Sequence, residues 1–134
     1  MNRIVLDASA VLAMILNESG GERVYKLLDA LDLGSDAKVF ISSVNWCEIL
    51  TRMQRENLLL YGDDLSAILA GVELVPFGRT GAEVAAAYAH VSRALSLGDR
   101  ACLALAKSKQ AIAWTTERLW SKCQVDVPVE LIRV

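Results

Sequence analysis

Residues 3–16 read RIVLDASAVLAMIL: a short apolar run, one aspartate, then a second apolar run with helical spacing. The run Ile4-Val5-Leu6 suits a buried strand, and the chain from about Ser9 to Asn17 suits a helix. Asp7 therefore stands at a strand exit, where a carboxylate among apolar neighbours needs a partner. Ser9, two residues on, is placed either to cap the helix or to orient that carboxylate. With Arg3 ahead of it, the segment resembles a short signal peptide, but an aspartate is costly in the apolar h-region. No apolar stretch reaches the roughly 18–20 residues that span a bilayer. The expectation is a cytoplasmic protein with no membrane association.

Working outward, the pattern alternates. A helix is expected from about Glu22 to Leu33, with Val24, Leu27, Leu28 and Leu31 on one face. A strand at Val39–Ile41 leads into a helix ending near Glu56. A further helix is expected from Tyr61 to Ala70, then a strand at Glu73–Phe77 whose Pro76 suggests an end or an edge. An Ala-rich helix is read from Ala82 to Leu95, and Asp99 opens another after the Ser96-Leu97-Gly98 break. Ala111–Trp114 forms a fourth strand, Arg118–Lys122 a helical turn, and Val129–Val134 the last strand. Short strands alternating with helices imply a mostly parallel sheet covered on both faces. Its functional residues should gather outside the carboxyl ends of the strands. No repeat or linker interrupts the 134 residues, which read as one domain, 1–134.

The hydrophobic fraction of 54% supports a tightly buried core and some apolar surface left for a partner. Cys47, Cys102 and Cys123 are odd in number and widely spaced, so they read as reduced thiols rather than a zinc site. Cys47 and Cys102 lie in apolar helical runs and are expected to be small buried hydrophobes. The net charge of −2 does not exclude a nucleic-acid partner. If four of the 16 acids bind metal, 12 remain against 14 Lys and Arg, a slight positive excess.

Position sorts those acids. Asp7 and Glu117 follow strands one and four, which are expected to flank the switch point of the sheet, so both face one crevice. Glu48 lies about one and a half turns into the helix after strand two. There Asn45, Glu48, Arg52 and Arg55 fall on one side of the wheel, with Trp46, Ile49, Leu50 and Met53 on the other. Each acid also has a plainer reading. Glu48 can pair with Arg52 at i,i+4, Asp99 can cap its helix, and Glu117 can begin its own short one. Together at one sheet edge they form a site. Carboxylates gathered in a dry crevice repel one another unless a cation sits between them. Their hard oxygens select Mg²⁺ or Mn²⁺, ions suited to phosphodiester hydrolysis. No Ser-His-Asp or Cys-His set competes, and the sole histidine, His90, reads as structural.

Four motifs, IVLDASAVLA with Asp7, SSVNWCEIL with Glu48, LSLGDRACLALA with Asp99 and TTERLW with Glu117, resemble in order and spacing those of PIN-domain ribonucleases. The likeness spans essentially the whole chain and is specifically to VapC-like toxins of bacterial type II toxin–antitoxin pairs. It implies a three-layer α/β/α sandwich with a five-stranded parallel sheet. It also implies that Asp7, Glu48, Asp99 and Glu117 bind one or two Mg²⁺ or Mn²⁺ ions and cleave structured RNA. By the same resemblance Ser9 supports Asp7, Asn45 and Thr115 line the site, and the protein forms a homodimer restrained by a cognate antitoxin. Arg52, Arg55, Arg100 and Lys107 are candidates for phosphate contacts. In one departure, Glu117 stands where the family usually has Asp. The extra methylene moves the carboxylate about 1.5 Å and puts a second metal position in doubt.

Two other classes fit the residues less well. A haloacid-dehalogenase-like enzyme needs a second Asp two residues after the first, where Ser9 sits, and a response-regulator receiver needs an acidic pair and a lysine absent here. A catalytically impaired PIN-like scaffold that only binds a protein or RNA partner draws support from Glu117 alone.

Overall fold

A computed structural model describes residues 2–58, 65–67 and 69–134. Its strands are β1 (Arg3–Leu6), β2 (Lys38–Ser42), β3 (Val72–Val75), β4 (Ile112–Thr115) and β5 (Val129–Leu131). Its helices are α1 (Ala8–Ile15), α2 (Gly21–Asp32), α3 (Ser43–Arg55), α4 (Arg79–Ala87) and α5 (Leu97–Lys109). Short 3₁₀ turns occupy Tyr88–His90 and Arg118–Lys122. Of the helix expected over Tyr61–Ala70, residues 61–64 and 68 lie outside the described residues.

The strands form one sheet in the order β3-β2-β1-β4-β5. Every pairing is parallel, so the sheet is wholly rather than mostly parallel. β3 is an edge strand, as Pro76 suggested. The chain leaves β1 toward β2 and β3, then returns to lay β4 against the other side of β1. The switch point thus lies between β1 and β4, at the register Leu6↔Trp114.

Alternation along the strands builds two cores. Ile4, Leu6, Val39 and Ile41 face one way and pack with Val11 of α1, Val24 and Leu28 of α2, and Ile49 and Met53 of α3. Val5, Phe40 and Ala113 face the other way and pack with Cys102, Leu103 and Ala106 of α5 and with Trp120. The result is three layers. Where α1 and α2 cross, Gly21 fills a position that admits no side chain. A Cβ there would lie less than 3.0 Å from the backbone of Ala13 and Met14.

Several boundaries differ from the sequence reading. The Ala-rich helix ends at Ala87, not Leu95, because the chain tightens into the 3₁₀ turn and the Ser92 hydroxyl captures the Ala94 N–H. The last strand stops at Leu131. On α3 the buried stripe is Asn45, Ile49 and Met53, whereas Leu50 is exposed. Asn45 is thus on the inner face, contrary to the wheel. Cys47 is exposed rather than buried, Cys102 is buried as expected, and all three cysteines are free thiols. His90 sits exposed in its turn. Among the described residues no helix is long and apolar enough to cross a membrane.

Candidate active site

β1 ends at Leu6, and Asp7 is the N-cap of α1 by backbone conformation. Its carboxylate makes no capping hydrogen bond. Instead Oδ2 accepts the Ser9 hydroxyl at 2.7 Å and the Thr115 hydroxyl at 2.9 Å. Ser9 therefore orients the carboxylate rather than capping the helix. Thr115, fully buried, also receives the Glu117 N–H at 3.0 Å, while Ser9 Oγ receives the Thr116 N–H at 3.1 Å. Two hydroxyls thus tie the exits of β1 and β4 together across the switch point.

Asp7 is 3% exposed. Burial, opposed by the Ser9 and Thr115 hydrogen bonds and reinforced by the charges of Asp99 and Glu48, raises its pKa from 3.8 to about 7. The same three acids push up the Cys102 thiol beneath them, after burial itself. The sum is a pocket of uncompensated negative charge.

Glu48 and Asp99 approach from the facing helices. The fully buried Asn45 donates through Nδ2 to Glu48 Oε1 at 2.9 Å and to the Gly98 carbonyl at 3.0 Å, bridging α3 and α5. Asp99 is not the N-cap of α5. Ser96 is, and the two form a reciprocal capping box: Asp99 Oδ2 accepts the Ser96 N–H at 2.8 Å, and Ser96 Oγ accepts the Asp99 N–H at 3.1 Å. One Asp99 oxygen is thereby committed to the helix. Glu117 is exposed at the start of its 3₁₀ turn and makes no side-chain cap.

A cavity of about 460 Å³ gathers Asp7, Glu48, Asp99 and Glu117, along with Ser9, Leu12, Ser96 and Arg52. It includes a fifth acid, Glu18, which lies between the first two helices and follows no strand. The chain reverses at Asn17, which has φ +55°, and the Glu18 N–H closes on the Ala13 carbonyl at 2.7 Å. That reversal returns Glu18 to the cavity, and a lone Asn after an apolar helix is a thin signal for it. Among the described residues none of the five acids has a salt-bridge partner, and Arg52, the only Lys or Arg lining the cavity, pairs with Glu56 rather than Glu48.

The other basic candidates are scattered. Arg55 is exposed, and Arg100 turns its guanidinium to the Ala85 carbonyl at 3.4 Å. Lys107 lies elsewhere, paired with Asp126 at 2.7 Å beside a different cavity that Tyr88 also lines.

The donor set suits a hard divalent cation. It is all oxygen, is net negative, and contains a buried carboxylate that burial alone would keep protonated. Among the described residues no three His, Cys, Asp or Glu side chains already stand as a formed metal centre. Like charges held apart in this way are what a cation would draw together.

A family model for the PIN domain matches residues 4–122. The chain belongs to the PIN-domain family. Among solved structures it resembles a toxin–antitoxin complex from Klebsiella pneumoniae, at 15% identity and a TM-score of 0.70 over 95% of each chain. It also resembles FitAcB from Neisseria gonorrhoeae, at 22% identity and 0.66 over 94% of this chain and 95% of that one. DNA-bound VapBC from Salmonella typhimurium aligns at 15% identity and 0.65 over 97% and 98%. At such identities the likeness is one of fold. No curated protein sequence matches.

Proposed function

We propose that this PIN-domain protein is a Mg²⁺- or Mn²⁺-dependent endoribonuclease acting on structured RNA as the toxin of a toxin–antitoxin pair. The observation that carries the proposal is the buried Asp7 carboxylate. It is held at Oδ2 by two hydroxyls and feels the charges of Glu48 and Asp99, and among the described residues no Lys or Arg forms a salt bridge with any of the three.

Asp7 and Asp99 would hold the ion, with Glu48 a third ligand and Glu117 the outermost. A bound Mg²⁺ or Mn²⁺ supplies Lewis-acid activation of water and neutralises charge on the scissile phosphate. The chain's own residues do the rest. Ser9 and Thr115 fix Asp7 Oδ2 and leave Oδ1 for the cavity. Asn45 holds Glu48, and the Ser96 capping box holds Asp99. Arg52, at the rim, is the basic residue best placed to meet a phosphate. The toxin reading draws on structural relatives that are themselves toxin–antitoxin complexes. It brings with it a cognate antitoxin partner and a homodimer.

The test is RNA cleavage with Mn²⁺ or Mg²⁺ by the wild type and by Asp7→Asn. Loss of at least about 100-fold with the fold retained is expected. Equal cleavage by both proteins sinks the assigned site. Absence of cleavage by either, with antitoxin binding intact, favours a non-catalytic scaffold.

A further inference from the structure

Gly98 occupies the second position of α5, between the helix N-cap and Asp99. Its carbonyl accepts from Asn45 Nδ2. A Cβ built on it would fall less than 3.0 Å from both carboxylate oxygens and the Cδ of Glu48. The Glu48 carboxylate therefore lies in the space a side chain at 98 would occupy. Gly98 has a negative φ, so the backbone there does not demand glycine.

The orientation of Asn45 is chemically forced. Its Nδ2 faces two acceptors, Glu48 Oε1 and the Gly98 carbonyl, and reversing the amide would set oxygen against oxygen. This leaves Asn45 Oδ1 fully buried with no partner among the described residues. Holding Glu48 against Gly98 takes precedence over satisfying that amide.

We infer that Gly98 is a positioning residue for the metal site: by lacking a side chain it forms, with Asn45, the seat that fixes the Glu48 carboxylate. The inference rests on the proposed metal-dependent activity, but the seat itself can be tested without a metal. A Cβ at 98 meets the far end of a flexible side chain, not backbone. The displacement therefore passes into Glu48 and leaves the fold intact, and alanine suits a helix better than glycine.

The test compares wild type, Gly98→Ala, Glu48→Ala, Glu48→Asp and the Gly98→Ala/Glu48→Asp double variant. In the metal-free protein, the side-chain amide resonances of Asn45 in Gly98→Ala are expected to move toward their positions in Glu48→Ala. The melting temperature should be unchanged or raised. By titration calorimetry, Mn²⁺ should bind Gly98→Ala at least about 10-fold more weakly than wild type. That penalty should largely vanish in the Glu48→Asp background, whose shorter side chain leaves room for the Cβ. Unmoved Asn45 resonances, an equal penalty in both backgrounds, or a collapsed Gly98→Ala fold would each overturn the inference. If the wild type binds no Mn²⁺ yet the Asn45 resonances move, the seat stands and the metal-dependent reading falls.

Discussion

Thr115 donates its hydroxyl to Asp7 Oδ2 at 2.9 Å, joining two residues 108 positions apart at the exits of adjacent parallel strands. Because Thr115 is fully buried, its hydroxyl has no water to replace that bond. Thr115→Val keeps the shape and removes both the donor to Asp7 and the acceptor of the Glu117 N–H. The expected cost is about 1–3 kcal/mol by urea unfolding, with weaker Mn²⁺ binding, and Thr115→Ser should restore most of both. A valine variant as stable and as metal-competent as wild type would contradict this arrangement.

Burial raises the Asp7 pKa from 3.8 to about 7, so the folded state holds this proton more tightly than the unfolded chain does. The stability this group contributes is full below about pH 4 and is lost as pH rises through 7. Metal-free Asp7→Asn, which cannot ionise, should therefore melt above wild type at pH 8, and the gap should narrow toward pH 4. A gap that does not change with pH would remove the uncompensated charge on which the site is built.

A bound cation would reverse that penalty. Added Mn²⁺ should raise the melting temperature of wild type more at pH 8 than at pH 5, since protonated Asp7 is a poor ligand. Asp7→Asn should show little shift at either pH. The same variant would then be more stable without metal yet inactive with it.

The basic residues separate by location. Arg52 lines the acidic cavity, whereas Lys107 is held by Asp126 beside another. Arg52→Gln should weaken RNA binding several-fold and flatten its salt dependence. Lys107→Gln should leave cleavage within about two-fold of wild type. Equal losses in filter binding and cleavage would place the RNA path across both.

Gly21 makes the contrast with Gly98. A Cβ at Gly21 meets the Ala13 and Met14 backbone, which has no rotamer to adopt. Gly21→Ala should destabilise by at least about 1–3 kcal/mol in urea unfolding. An unaffected variant would mean that α1 and α2 cross less closely than described.

Much of the fold is written in local pattern. Short apolar runs alternating with 3.6-period helices, and acids at the run ends, are properties of neighbouring residues. They place five strands, the edge character of β3, the Asp7 exit and the Thr115-Thr116-Glu117 exit without any tertiary knowledge. Where local chemistry competes, the pattern misleads. Asn45 looks like a surface residue on α3 because a wheel weighs polarity, yet it is fully buried to bridge Glu48 and Gly98.

An α/β sandwich with Asp7 at a strand exit is already legible along the chain, because hydrophobic periodicity and the cost of a carboxylate amid apolar neighbours are set by residues close in sequence. The Ser96–Asp99 capping box and the reversal at Asn17 are local as well, but that Asp99 and Glu18 then line one cavity with Asp7 follows from tertiary packing. It alone placed Lys107 away from the site and set Glu48 in the space left by Gly98. Those are contacts between distant segments, fixed by how α3 and α5 pack across the sheet, and no spacing along the chain encodes them.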